Sequence, residues 1–234
     1  PTRLNSPTGA VDTATLVSWA KVKEQQGDIA GAEEIYRKAT DANPNDLVAL
    51  INYGRFFHKQ QNFERATEVY RRAIKLAPSE PVAYNDLAMC FASQDQLSLA
   101  IQTLSQAVQL DPTSKAYRSN LAMMLVDAKR PHEALTALAG VYPPEIAHYN
   151  LAFLLIERDE KMLARQHLQM ALQLKPDFAA ANKLIARTEG APAIGPATTG
   201  IPAQNVGWPS QGAPPAGNAS GFFDPNFRPA PGAG

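Results

Sequence analysis

The chain is 234 residues long, enough for one sizeable domain or two small ones. Its 22 Lys plus Arg balance 22 Asp plus Glu, so no net charge draws it toward nucleic acid or an anionic membrane surface. A lone cysteine, Cys90, excludes an intrachain disulfide, and no apolar run approaches the roughly 18 residues that a membrane helix needs.

Residues 1–12, with Pro1, Pro7 and Gly9, read as a loose lead-in without a signal-like segment. No compartment follows: the cytoplasm, or the periplasmic side of a bacterial envelope if a leader has been removed, are both compatible. Beyond it the sequence becomes periodic. Pro44, Pro78 and Pro112 are spaced 34 apart, as are Ala32, Ala66 and Ala100, and Ala39, Ala73 and Ala107. Three columns sharing one period predict a helical repeat. With Thr13 as position 1, repeats span 13–46, 47–80, 81–114, 115–144 and 145–178, and a closing helix spans 178–188. Position 8 is small: Ala20, Gly54, Ala88, Ala122 and Ala152. Position 20 is Ala32, Ala66, Ala100, Ala134 and Ala164. Position 24 is large: Tyr36, Tyr70, Leu104, Leu138 and Leu168. Position 11 holds Lys23, then Phe57, Phe91, Leu125 and Leu155.

Two antiparallel helices cross closely only where small side chains meet, and bulky neighbours fill the space beside the crossing. A proline at position 32 stops the second helix of a repeat. Asp28 and Asn62 stand where they can cap second helices. The fourth repeat departs from the rule. Its second helix should start at Pro131 and run into Gly140 and Tyr142-Pro143-Pro144, losing its last turn. Residues 189–234 hold nine Gly and nine Pro and, after Glu189, only Asp224 and Arg228 as charges, so they are predicted to be a disordered tail.

These columns resemble the tetratricopeptide repeat family, most fully in Leu50, Gly54, Phe57, Ala66, Tyr70, Ala73 and Pro78, and in Tyr84, Leu87, Ala88, Phe91, Ala100, Leu104, Ala107 and Pro112. The resemblance covers roughly residues 13–188. It implies an all-α, right-handed α-solenoid of about five helix pairs plus a capping helix, with a concave groove that holds a peptide or helix of another protein. In that family the groove is lined from positions 2, 5, 6, 9, 12 and 13 of the first helices, one helical stripe. Lys21, Arg55, His58 and Lys59 then form a basic end, and Met89, Met123, Tyr149, Phe153 and Ile156 an apolar end. Asn52, Asp86, Asn120 and Asn150, all at position 6, are able to hydrogen-bond a bound backbone. One subfamily grips acidic chaperone tails with Lys, Arg and Asn. Asn52 fits that cluster, but Val17, Val82 and Asp86 do not, so this mode is not expected.

No phosphate loop, HExxH, CxxC or nucleophile elbow occurs, so no enzyme activity, cofactor or metal is predicted. His148 and His167, at positions 4 and 23 of the fifth repeat, are expected near each other across the helix pair, without further ligands for a metal. Cys90 reads as a buried small hydrophobe. In the tail, Trp208 and the Phe222–Phe227 cluster suggest a docking motif. The expected function is a protein-interaction scaffold with no nucleic-acid partner and no membrane insertion. The alternative is the repeat region of a larger machine, such as a pilotin-like envelope or pilus assembly factor or the regulatory arm of an enzyme.

Overall fold

In a computed structural model, which describes residues 12–189, the described chain forms eleven helices and no strand. They are α1 (Thr13–Gln25), α2 (Ile29–Ala42), α3 (Leu47–Lys59), α4 (Phe63–Leu76), α5 (Pro81–Ala92), α6 (Leu97–Leu110), α7 (Lys115–Asp127), α8 (Pro131–Ala139), α9 (Pro144–Ile156), α10 (Lys161–Leu174) and α11 (Ala179–Glu189). The lead-in up to residue 11 and the tail from residue 190 lie outside the described residues. The chain divides into two compact units, Pro1–Cys90 and Phe91–Gly234.

In the first unit α1 packs on α2 and α3 on α4, with α2 and α1 also touching α3. The small residues sit at the crossings. Ala20, Ala32 and Ala66 are fully buried, and a Cβ on Gly54 would fall 2.5 Å from the Tyr70 ring. That ring occupies the space the missing methyl leaves, which is why position 24 is large where position 8 is glycine. Tyr36 does the same work toward the next helix: its ring lies 5.8 Å from Tyr53 and 5.4 Å from Phe56, and Tyr53 lies 4.5 Å from Phe57. Lys23, the exception at position 11, turns to Asp28 at 2.8 Å.

In the second unit α7 packs on α8, α9 on α10 and α10 on α11. Its core is aliphatic, built on Leu125, Leu138, Leu151, Leu154, Leu155 and Leu168 around buried Ala122, Ala134, Ala152 and Ala164. Phe178, Ala181 and Leu184 from the closing segment join this cluster, so α11 covers the apolar edge that an open last repeat would expose.

The turns repeat as strictly as the helices. Position 15 is left-handed in every repeat: Gly27 (φ 77°), Gln61 (57°), Asp95 (57°), Lys129 (59°) and Asp159 (60°). Each first helix ends in the same pair of bonds, as where Gly27 N–H donates to the Glu24 carbonyl and Asp28 N–H to the Lys23 carbonyl, both at 3.0 Å. This is the Schellman closure, which requires that left-handed residue. Apart from the shortened α8, the second helices end two residues before proline. Asn43, Ala77, Asp111 and Lys175 all hold φ between −140° and −132° with ψ between 76° and 90°, because proline bars its predecessor from the helical region.

Asp28 and Asn62 cap α2 and α4 through the N–H groups of Gly31 and Arg65. Asp12, Asp46 and Ser114 cap α1, α3 and α7 in the same way. α8 has nine residues where α2, α4, α6 and α10 have 14. Its foreshortened end is closed by Arg118, which donates to the Ala137 carbonyl at 3.3 Å and to the Pro112 carbonyl at 2.7 Å. A Cβ on Gly140 would fall 2.0 Å from that guanidinium, so glycine makes room for the cap.

Candidate functional site

The predicted site residues of the first unit do not form an open row of cations. Arg55 Nε donates to Asp86 Oδ2 at 2.6 Å, and Asp86 is buried and also accepts from Asn85 at 3.0 Å. Lys59 Nζ meets Glu24 Oε2 at 3.1 Å, and Glu24 also accepts from the Tyr36 hydroxyl. Lys21 stands exposed on α1. Asn52 is buried, and its amide donates to the Val48 carbonyl one turn back at 2.7 Å. His58 is held below the usual histidine range by burial, against which the Asp86 charge works. Met89 is half-buried.

In the second unit the site residues fall on α7 and α9. Met123, Tyr149 and Ile156 are half-buried and rest against the aliphatic core. Tyr149 lies 5.0 Å from the Phe178 ring. Phe153, one turn on from Tyr149, is 37% exposed, the most open apolar side chain of the set. Asn120 is half-buried. Asn150 is fully buried, and neither of its amide atoms has a hydrogen-bond partner. It lies beneath the surface rather than on it, which takes it out of reach of a ligand lying on α9.

Sequence reasoning missed the ion pairs that tie successive repeats. Arg55–Asp86, Arg158–Asp127 and Lys129–Glu160 each join residues 31 apart. Arg158 is bidentate on Asp127, at 2.6 and 3.0 Å, the strong form of such a contact. Opposite charges about one period apart were the available signal.

His148 and His167 do meet: their Nδ1 atoms are 2.9 Å apart and their ring centroids 5.1 Å. The short nitrogen separation aims one ring nitrogen at the other, so one neutral ring donates and the other accepts. Burial lowers both pKa values, that of His167 to about 4 with further lowering by the charges of His148 and His132. Among the described residues no three His, Cys, Asp or Glu are grouped to hold a metal, and no helix is long and apolar enough to cross a membrane. Cys90 is buried, 3.7 Å from the Phe63 carbonyl.

Two sequence families described as tetratricopeptide repeat match the chain, over residues 17–81 and 57–123. No curated protein sequence matches it. Among solved structures, the MamA protein superposes with a TM-score of 0.55 at 20% identity, covering 77% of this chain and 97% of that one. YrrB, described as a TPR protein with an unusual peptide-binding site, gives 0.51 at 20% identity over 74% and 91%. PilF of Pseudomonas aeruginosa gives 0.52 at 17% identity over 75% and 82%. At these identities the likeness is one of fold. Residues 17–123 thus carry tetratricopeptide repeats, and the same crossings and turns carry on through α11.

Proposed function

We propose that the chain is a non-enzymatic scaffold that binds a peptide or helix of another protein through the first helices of its repeats. The observation that carries this reading is Phe153. It is an aromatic ring 37% exposed on α9, flanked by half-buried Tyr149 and Ile156. Large apolar groups that are supported from below and open above are what a partner's anchor residue needs. The description of YrrB as having a peptide-binding site is in keeping with such a use of the fold.

The pairings refine the ligand. Arg55 and Lys59 are already neutralised by Asp86 and Glu24, so Lys21 is the cation left to meet an acidic residue, and it acts on association rate and salt sensitivity. With Asn150 sealed and Asn52 bonded to its own helix, neither of these amides is offered to a ligand backbone. Affinity therefore rests on apolar anchors at Met123, Tyr149, Phe153 and Ile156, with Met89 as the corresponding half-buried group in the first unit. The rival reading, an arm of an envelope or pilus assembly machine, has the likeness to PilF behind it, and at 17% identity that reaches no further than fold.

The test is selection of peptides from a displayed library on the whole chain, followed by titration against variants. Phe153→Ala should weaken binding about 30-fold, the effect of losing an anchor of about 2 kcal/mol, at every salt concentration. Lys21→Glu should weaken it only at low salt, since about 0.1 M salt screens exposed charges beyond roughly 10 Å. Selected peptides that bind both variants like the parent would overturn the assignment.

A further inference from the structure

The fifth repeat breaks a rule that the others keep. At position 18 the first four repeats carry Ala30, Glu64, Ser98 and His132, and at position 26 Lys38, Arg72, Gln106 and Gly140. The fifth carries Met162 and Met170, 71% and 44% exposed. Leu174, 53% exposed, continues the line, and Gln166 stands between the methionines. Residues 162, 166, 170 and 174 form a single ridge of i, i+4 neighbours along α10. Leu76 and Leu110 occupy the same position as Leu174, so the two methionines are what sets this helix apart. Unbranched thioethers on a surface adapt to partner shape and contact aromatic rings favourably. At the head of the ridge lies a pocket of about 410 Å³ lined by Asp159, Glu160, Lys161, Met162, Leu163 and Gln166.

An aromatic partner is tethered within reach. α10 packs on α11, which ends at Glu189, and the chain continues to Gly234. Thirty-two residues separate Glu189 from Phe222, and a Gly-rich chain of that length spans about 30 Å root-mean-square. The 14 residues of α10 extend about 21 Å, and Thr188 next to the tail already touches Arg165 on that helix, so such a tether reaches the whole ridge. The segment Phe222-Phe223-Asp224-Pro225-Asn226-Phe227 supplies three rings around one negative charge. α10 itself carries no acidic residue; its Lys161 pairs with Asp159 at 2.7 Å and its Arg165 also donates to the Thr188 carbonyl at 3.0 Å.

We propose that the Phe222–Phe227 segment docks on the α10 ridge of its own chain, its rings against Met162 and Met170. The tail then covers an apolar ridge that the repeat pattern does not account for. This stands apart from the binding face on α7 and α9 and does not depend on it.

The chain has five methionines, so methyl-labelled methionine gives five NMR signals on the intact protein. The Met162 and Met170 methyls should lie upfield through ring currents and return downfield in the triple variant Phe222→Ser, Phe223→Ser, Phe227→Ser, with Met89, Met123 and Met124 unmoved. Unchanged Met162 and Met170 signals would overturn the proposal. So would movement of Met89 or Met123 instead, which would put the tail on the other face. Upfield shifts that grow with protein concentration would assign the segment to a second copy and equally sink docking within one chain.

Discussion

The helix pairs of the first unit and those of repeats four and five share one backbone scheme but are filled differently. The first is packed with aromatic rings, Tyr36, Tyr53, Phe56, Phe57 and Tyr70, and the second with leucine. Aromatic filling supplies more area per residue but brings hydroxyl groups that must be satisfied inside. The two position-24 tyrosines show both outcomes. The Tyr36 hydroxyl donates to Glu24, whereas the Tyr70 hydroxyl is buried with no partner, and burial pushes its pKa well up. The leucine-packed pairs have no tyrosine at position 24; their polar elements are the buried, unpartnered Asn150 amide, the Ser119–Tyr142 hydroxyl pair and the His148–His167 contact between α9 and α10. A repeat scaffold thus fixes where bulk is needed, and leaves open which bulk, at the risk of orphaned polar atoms.

The comparison breaks most easily at Gly54. Gly54→Ala should cost about 3 kcal/mol, at the upper end for overpacking, because the new methyl would lie 2.5 Å from a ring that has no room to retreat. Chemical denaturation measures it. A cost below that of an ordinary helix substitution would mean that the Tyr70 ring is not fixed by the crossing.

The second expectation concerns pH and the leucine-packed pair. Both histidines have folded pKa values below the unfolded value of about 6.5, so the unfolded chain binds more protons between there and about 4. Their contribution is whole above pH 6.5 and is lost as pH falls through the folded values. Partial exposure of the rings keeps the slope to a fraction of the about 1.4 kcal/mol per pH unit that a complete shift allows. In melts from pH 7.5 to 4.5, His167→Gln should flatten the decline relative to the parent. Parallel decline in both proteins would remove the pair as its cause.

Smaller again is the tyrosine contrast. Tyr36→Phe should lose about 1 kcal/mol, the worth of a hydrogen bond to a charged acceptor less what water returns to Glu24. Tyr70→Phe should be neutral or gain up to about 1 kcal/mol by removing an unsatisfied buried hydroxyl. Equal losses would show that the two hydroxyls are equally served.

The smallest effect lies in the turns. Gly27→Ala meets no neighbouring atom, so its cost of about 1 kcal/mol is purely that of a left-handed backbone. Gln61→Gly should gain somewhat less than that, since glycine also enlarges the unfolded ensemble. Opposite signs in thermal unfolding are the expected result, and a loss at Gln61 would mean that its side chain does structural work.

Helix existence and the start of the first helices were legible because each rests on short-range causes. Proline at position 32 and the caps Asp28 and Asn62 act within a turn or two of themselves, and the small residues at positions 8 and 20 recur with the repeat period. The shortened α8 was foreseen from Gly140 and the prolines that follow. Of the five left-handed turn residues, only Gly27 takes that conformation without steric cost. At Gln61, Asp95, Lys129 and Asp159 the Schellman bonds and the packing on either side impose a conformation that those residues do not choose for themselves.

The candidate site divides along the same line. The sequence alone put Lys21 and Phe153 at the same position of their repeats and Tyr149 one turn before Phe153, because repeat and helical period decide which positions correspond. Only the tertiary structure decided that Arg55 would be spent on Asp86 and Lys59 on Glu24, and that Asn150 would be sealed under the surface. Those outcomes turn on distances between residues about one repeat apart. Periodicity fixes the face a side chain points from, whereas which group waits opposite is set by how one helix pair stacks on the next.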